Sequence, residues 1–130
     1  MTQPLMETAL KGSVWVALDL ETTGLSPEAD SIIEVGAVKF QGEEVLESFQ
    51  SFVNPRRKVP EFVRAYTGIK QSDVSSAPPF STVATELVRF IGATPLVGHN
   101  LAFDTQFLAS HGLRLDNPSC DTWEMAYVLL

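Results

Sequence analysis

The sequence has one cysteine, no long apolar run and few basic residues. A single cysteine, Cys120, excludes an internal disulfide, so a reducing cytoplasm is the simplest location. No apolar run approaches the ~20 residues needed to cross a bilayer, and residues 1–11 lack the basic flank and apolar stretch of a signal peptide. These absences predict a cytoplasmic protein with no membrane partner.

Positive charge is also scarce, because 9 Lys and Arg residues stand against 16 Asp and Glu residues and give a net charge of −7. This balance argues against binding nucleic acid through a broad basic face. It does not exclude a nuclease whose pocket is a group of carboxylates neutralised by divalent cations. Charge alone therefore leaves the question of a nucleic-acid partner open.

The remaining composition, 45% hydrophobic and 19% charged over 130 residues, is that of one ordinary globular domain. We expect residues 1–12 to form a loose lead-in and residues 13–130 to form the domain. Residues 14–18 are a continuous apolar run, which predicts a central strand buried on both faces. Further strands are predicted over 31–40, 45–53 and 95–98, and helices over 60–66, 80–91, 100–111 and 121–130.

Strands come first and alternate with helices later, an order that predicts an α/β fold with a mixed sheet. Asn100 is expected to cap the helix that follows it. Asp121 and Glu124 are expected to form an acidic capping box for the last helix. That helix reaches Leu130 with neither a cap nor a polar tail, so we expect a truncated sequence and a C-terminally incomplete fold.

Two acids, Asp19 and Glu21, follow the first predicted strand. At a spacing of two residues their side chains leave the same face of the strand. Like charges at a dry strand end are costly or become protonated, and a divalent cation removes that cost. The competing explanation, that the acids only mark where a strand emerges into water, is the more common one for an isolated Asp-x-Glu.

Longer motifs bear on this choice. Residues 19–25 (Asp-Leu-Glu-Thr-Thr-Gly-Leu) and 98–104 (Gly-His-Asn-Leu-Ala-Phe-Asp) resemble the first and second motifs of the DEDDh 3′–5′ exonucleases. That family includes the proofreading epsilon subunit of bacterial DNA polymerase III and exonuclease domains attached to helicases. Residues 66–69 and 121–126 resemble the family's middle segment and its aspartate–threonine helix, in the family's order.

The resemblance implies a ribonuclease H-like sheet and two metal ions, Mg²⁺ or Mn²⁺. It implies that Asp19 bridges both ions, that Glu21 binds the ion carrying the attacking water, and that Asp104 supports the second ion. Two metals about 3.5–4 Å apart can stabilise the attacking and leaving oxygens of an in-line phosphoryl displacement. For Asp104 alone, the alternative is a first-turn acid that complements the helix dipole.

The same motifs imply a site for the terminal nucleotide of a substrate. Gly24 allows close backbone approach, Leu25 wedges against the last base, and Phe103 stacks on the other side, although a turn glycine and a core phenylalanine explain these residues as well. The expected substrate-binding residues are Thr22, Thr23, Gly24, Leu25, Thr67, Asn100 and Phe103. Basic residues gathered over 54–70 are explained equally well as phosphate contacts or as a solvated loop.

The family's catalytic histidine belongs to a third motif, well beyond the second, where it precedes a fourth carboxylate by five residues. His99 lies inside the second motif and is expected to be structural. His111 precedes Gly112 at a predicted helix end and is expected at the surface. Without the third motif, we expect this chain by itself to have little or no nuclease activity.

Two main functions follow. The first is a 3′–5′ exonuclease domain for a single-stranded or frayed 3′ end, with DNA favoured over RNA, within a larger replication or repair protein that has polymerase or helicase parts. The second is a non-catalytic exonuclease-like module that binds nucleic-acid ends or a polymerase partner. A third option is that the acids are only solvated strand ends. Convergence of Asp19, Glu21 and Asp104 at one strand end is the expectation that separates the first two functions from the third.

Overall fold

The computed structural model describes residues 12–122. The expected lead-in, apart from Gly12, and the expected last helix from Trp123 onwards, with Glu124 of the capping box, lie outside the described residues. Within 12–122, no helix has both the length and the apolar character to span a membrane.

Strands dominate the first part of the described chain. They are β1 (Val14–Thr22), β2 (Ile32–Gln41) and β3 (Glu44–Phe52). Helices α1 (Glu61–Thr67), α2 (Gln71–Ser75) and α3 (Phe80–Ile91) follow, and then β4 (Leu96–Gly98), α4 (Leu101–Ser110) and β5 (Ser119–Asp121).

The strands form one mixed sheet in the order β3-β2-β1-β4-β5, with β1 at its centre. Pairing is antiparallel between β1, β2 and β3, and parallel from β1 through β4 to β5. The predicted α/β fold with a mixed sheet is therefore confirmed. Neither β5 nor α2 was predicted. Strand β5 has three residues and ends at Asp121, where the last helix was expected to begin, and α2 has only five residues.

Strand β1 is longer than expected and alternates in burial. Val16, Leu18 and Leu20 are buried, whereas Ala17 is half-buried and Asp19 is exposed. The expectation of a strand buried on both faces was therefore wrong. The apolar run over 14–18 does not show that the strand continues through Asp19 and Glu21. These two acids lie on the face of β1 that is open to solvent.

Two apolar clusters hold the helices on the sheet. In the larger one, buried Val83, Leu87 and Ile91 of α3 recur at helical spacing and join the buried face of β1, together with Phe107 and Leu108 of α4. A smaller cluster holds α1 and α2 against β2, and its buried members are Ile33, Val59, Val63, Ile69 and Val74. Each helix therefore has a fixed apolar anchor.

The start of α4 is held closely against β1. A Cβ at Gly98 would lie 3.1 Å from the Leu18 carbonyl oxygen, so only glycine fits here without a shift. Asn100 occupies the expected N-cap position with left-handed backbone angles, but its side chain makes no capping hydrogen bond. The Asp121 carboxylate caps α4 instead, accepting the backbone N–H groups of Asn100 and Leu101, both at 2.9 Å.

Gly98→Ala is expected to lower the free energy of unfolding by about 1–3 kcal/mol. The added Cβ meets the Leu18 carbonyl oxygen, which belongs to a central strand and cannot rotate away. Denaturant unfolding measures the change. Gly12→Ala is the matched control, since a Cβ there has no atom within 4 Å. Equal stability of the two variants would contradict the prediction.

Candidate active site

Asp19 and Glu21 project from the same face of β1, as their spacing requires. Their cross-strand neighbours on β2 differ, because Asp19 faces Gly36 and Glu21 faces Glu34. Glycine leaves the space beside Asp19 open. Glu34 adds a further carboxylate beside Glu21, and its Oε2 accepts a hydrogen bond of 2.8 Å from Gln50 Nε2.

Asp104 lies in the first turn of α4 and is only 4% exposed. Burial, and after it the nearby charges of Asp19, Glu21 and Asp121, together raise the pKa of its carboxyl to about 8. Three acids separated by up to 85 residues in sequence, 104 minus 19, therefore share one electrostatic environment.

Glu21 shows the same effect more weakly. Partial burial raises the pKa of its carboxyl, and the charges of Asp19 and Glu34 add to the increase. The sequence did not single out Glu34, because its proximity depends on the pairing register of β1 with β2. Aligning the two predicted strands within residues 14–41 as an antiparallel pair could have placed Glu34 opposite Glu21.

The donor chemistry of this group fits a divalent cation. Carboxylate oxygens are the ligands that Mg²⁺ prefers, and a cation would offset the burial cost and the repulsion that raise the pKa of Asp104 and Glu21. No ion pair recorded within residues 12–122 involves Asp19, Glu21 or Asp104. Over the same residues, no three His, Cys, Asp or Glu side chains stand in a closed metal-binding arrangement. Within the described residues, these acids lie near one another without a cationic partner and do not form a closed set of metal ligands.

A cavity of about 540 Å³ opens beside Glu21. Five of the expected substrate-binding residues line it, namely Thr22, Gly24, Leu25, Thr67 and Phe103. Leu25 is 83% exposed at the tip of the β1–β2 loop. Two further aromatic residues of α1 line the cavity, Phe62 at 69% and Tyr66 at 89% exposure. No role was predicted for either residue from the sequence, although their spacing of four residues places them on one helix face.

The cavity hydroxyls are engaged within the protein. Thr22 Oγ1 donates to the Gly24 carbonyl at 2.6 Å. Thr67 Oγ1 donates to the Val63 carbonyl at 2.8 Å and accepts from the Ile69 N–H at 3.1 Å. They therefore stabilise the β1–β2 loop and the end of α1 while lining the cavity. Phe103 is half-buried and packs against Phe107, with ring centroids 4.9 Å apart.

Two expected substrate-binding residues lie away from this cavity. Thr23 is buried, and its hydroxyl donates to Asp30 Oδ1 at 3.1 Å and accepts from the Ser31 N–H at 2.9 Å. Asn100 is held at the start of α4 by its backbone bond to Asp121. The Thr23 hydroxyl is therefore bonded to internal partners. The bond of Asn100 involves only its backbone, so the expected contact of its side chain with a substrate stays a prediction.

The histidines differ from expectation in one case. His99 lines a wider groove of about 750 Å³ that also includes Asp19, and its Nδ1 lies 3.4 Å from Thr122 Oγ1. His99 stands five residues before Asp104 and His111 stands five residues before Asp116, so this spacing alone does not identify a third-motif histidine. His111 is not simply at the surface, because it is half-buried and its Nε2–H donates to the Asp30 carbonyl at 3.0 Å.

Basic side chains over 54–70 are exposed, and one of them has a recorded ionic partner. Arg57 Nη1 lies 3.6 Å from Asp30 Oδ1. The exposed set comprises Arg56, Arg57, Lys58, Arg64 and Lys70. Their positions are compatible with both expectations, a phosphate-binding segment and a solvated loop.

An exonuclease family model matches residues 16–129. The DNA polymerase III PolC-type of Caldanaerobacter subterraneus subsp. tengcongensis is 39% identical over 124 residues, which are 92% of this chain and 9% of that protein. The PolC-type protein of Bacillus subtilis is 36% identical over 126 residues, again 92% and 9%. The chain spans less than a tenth of the length of these relatives.

Solved structures show the same fold. Exonuclease X in complex with 5′-overhanging duplex DNA has a TM-score of 0.73 and 23% identity, covering 88% of this chain and 63% of that one. Escherichia coli exonuclease I in complex with a dA16 oligonucleotide has a TM-score of 0.74 and 18% identity, covering 88% and 28%. The ribonuclease H-like architecture expected from the motifs is therefore confirmed.

Folding stability in EDTA is expected to fall as pH rises from about 4 to about 8 and to level off above that. The folded state raises the pKa of Asp104 from 3.8 to about 8, so in this window the folded chain binds a proton that the unfolded chain has lost. Asp104→Asn removes this pH dependence. At pH 8 its free energy of unfolding should be higher than that of the parent chain by about 1–3 kcal/mol. Denaturant unfolding across pH gives both profiles.

Asp116→Asn is the control for this experiment, because it removes an exposed acid outside the site. Its pH profile should follow that of the parent chain. Parallel profiles for all three proteins would show that Asp104 does not titrate abnormally.

Proposed function

Because this chain belongs to the exonuclease family (RNase_T), whose model spans residues 16–129, we propose that it is a metal-dependent 3′–5′ exonuclease domain acting on DNA. One observation carries the proposal. Asp19, Glu21 and Asp104 share one electrostatic environment, and Glu21 also lines the adjoining cavity. A first-turn acid that only complemented the dipole of α4 would not need to be 4% exposed and beside the charges of two other carboxylates.

The proposed metal ligands are Asp19, Glu21 and Asp104. When bound, two Mg²⁺ or Mn²⁺ ions supply an activated water and charge stabilisation for the leaving oxygen. With a pKa raised to about 8, Asp104 must release its proton as it becomes a ligand, and the pKa of Glu21 is raised in the same direction. Asp104 contributes from a fixed helix, whereas Asp19 is exposed and its side chain is free of such packing.

The cavity receives the terminal nucleotide in this proposal. Leu25 and Phe103 contact the last base from opposite walls, and Gly24 keeps the loop backbone close. Phe62 and Tyr66 also line the cavity and are largely exposed, so in this proposal they offer stacking faces to the strand as it leaves. A base must be unpaired to use these faces, so the substrate is a single-stranded or frayed 3′ end.

DNA is favoured over RNA because the relatives with 36–39% identity are DNA polymerases III of the PolC type. The same relatives support an association with polymerase parts of a larger replication protein, whose location is the cytoplasm. A helicase-associated parent was the other expectation, and none of the relatives described above supports it.

A non-catalytic end-binding module is the second candidate. The exposed apolar lining of the cavity can hold an unpaired base whether or not turnover follows. His99 belongs to the second motif and His111 is bound to the Asp30 carbonyl, so neither is assigned the role of general base. The third-motif histidine would have to come from a further segment for turnover, so the chain alone is proposed to bind an end and hydrolyse it slowly or not at all.

Asp19→Asn is expected to weaken Mn²⁺ binding by at least about tenfold, since it removes the proposed bridging charge while preserving side-chain size. Isothermal titration calorimetry at pH 8 measures this on the chain itself. Turnover is measured on the chain extended by the segment that carries the third motif in a PolC-type relative, as mononucleotide release from single-stranded DNA. Asp19→Asn should abolish that release.

Asp116→Asn serves as the control, because it makes the same charge change at an exposed acid outside the site. It should leave both measurements unchanged. Full turnover in Asp19→Asn would remove Asp19 from the site. Binding of DNA ends without turnover in the extended chain would favour the non-catalytic module, and absence of Mn²⁺ binding would favour solvated acids.

Tyr66→Ala is expected to weaken binding of a short oligothymidylate by about 5- to 100-fold, the range of one lost base-stacking contact. Stability should hardly change, because Tyr66 is 89% exposed. Fluorescence anisotropy and thermal unfolding give the two values. Leu46→Ala removes another exposed apolar side chain, on β3, and should not affect binding. Equal affinities of the two variants would exclude Tyr66 from the substrate path.

A further inference from the structure

Asp30 stands at the end of the β1–β2 loop, directly behind Gly24, and the proposed chemistry does not use it. We propose that Asp30 is a positioning residue that fixes the place of Leu25 at the cavity. The inference rests on the proposed function in one respect, namely that Leu25 contacts the terminal nucleotide.

The Asp30 carboxylate binds the loop on both sides of Leu25. Its Oδ1 accepts from the Thr23 hydroxyl at 3.1 Å, and its Oδ2 accepts from the Ser26 backbone N–H at 3.0 Å. Thr23 is buried, so this end of the loop is fixed in the protein interior. Gly24 and Leu25 are the two residues between these points and therefore form a short span closed by one carboxylate.

Gly24 brings that carboxylate against the loop backbone. A Cβ at Gly24 would lie 2.6 Å from Asp30 Cγ and 2.7 Å from Asp30 Oδ1. Any side chain at position 24 would therefore overlap the Asp30 carboxylate, so this packing requires glycine. A shift of the loop away from Asp30 would break the hydrogen bonds to Thr23 and Ser26, so the position of Leu25 is constrained in that direction.

Asp30 also contacts the chain segments that supply the other two walls of the cavity. Arg57 Nη1 lies 3.6 Å from Asp30 Oδ1, shortly before α1, which carries Tyr66. His111 Nε2–H donates to the Asp30 carbonyl at 3.0 Å, directly after α4, which carries Phe103. One residue thus joins the loop, the entry to α1 and the end of α4.

A purely structural role for Asp30 makes a different prediction. If Asp30 only supported folding, its replacement would lower stability, and any loss of affinity would be independent of the Leu25 side chain. If Asp30 acts through Leu25, the loss of affinity disappears once the Leu25 side chain is removed. Epistasis between the two positions therefore separates the two roles.

Asp30→Asn is the variant of choice, since the amide keeps the side-chain size but cannot accept the Thr23 and Ser26 bonds together with two oxygens. Affinity for a 5′-fluorescein-labelled oligothymidylate is measured by anisotropy with Ca²⁺ as the divalent ion. The Kd is expected to rise about three- to tenfold in the parent chain. In the Leu25→Ala background it should change by less than about twofold. Amide hydrogen exchange at Leu25 and Ser26 should become faster.

Glu28→Gln is the matched control, because it makes the same charge change at an exposed position of the same loop. Its Kd and exchange rates should equal those of the parent chain. Two results would overturn the inference: Asp30→Asn behaving like Glu28→Gln, or Asp30→Asn losing the same affinity in both backgrounds.

Folding and function are separated by two further measurements. If Asp30→Asn does not fold, Arg57→Gln and His111→Ala are used instead, since each removes one contact to Asp30. Their effects on the Kd are compared in the parent chain and in the Leu25→Ala background. If the parent chain binds no oligothymidylate, the proposed function fails, and amide exchange at Leu25 and Ser26 still decides the inference. Unchanged exchange in Asp30→Asn would overturn the positioning role by itself.

Discussion

Repulsion among carboxylates at one end of β1 is the constraint on which the rest of the structure depends. Asp104 is nearly buried within reach of the charges of Asp19 and Glu21, which disfavours its ionised form. The backbone enforces this proximity, because Gly98 lets α4 begin against β1 and Asp121 caps its first N–H groups. The central sheet and the helix thus hold together groups that would separate in water.

The proposed substrate cavity is lined mainly by apolar side chains. The aromatic ones lie on helices that other residues pack firmly into the core. Val63 packs in the smaller core cluster and holds α1, while Phe62 and Tyr66 on the same helix remain largely exposed. Phe103 is half-buried and rests on Phe107 of the main core. Exposed aromatic side chains on rigid supports suit the binding of flat, unpaired bases at low entropic cost.

Sequence reasoning succeeded where a motif or a long period carried the information. The three antiparallel strands, the helix 80–91 and the acids of the two motifs were all identified from local patterns. It failed where a contact joins distant residues through the fold. Asp121 was assigned to its own helix but caps α4, and Glu34 nears Glu21 only through strand register. His111 was placed at the surface because its partner, the Asp30 carbonyl, is 81 residues away.

The cap formed by Asp121 has a consequence for how this domain can diverge. The same carboxylate satisfies the first N–H groups of α4 and adds negative charge near Asp104. Mutational drift in β5 that displaced it would simultaneously fray a helix and change the acidity of a carboxylate three residues further along that helix. Edge strand β3, with its exposed Val45 and Leu46, neither caps a helix nor contributes charge near Asp104 in the described structure. Homologous chains should therefore vary freely at one margin of the sheet and remain restrained at the other.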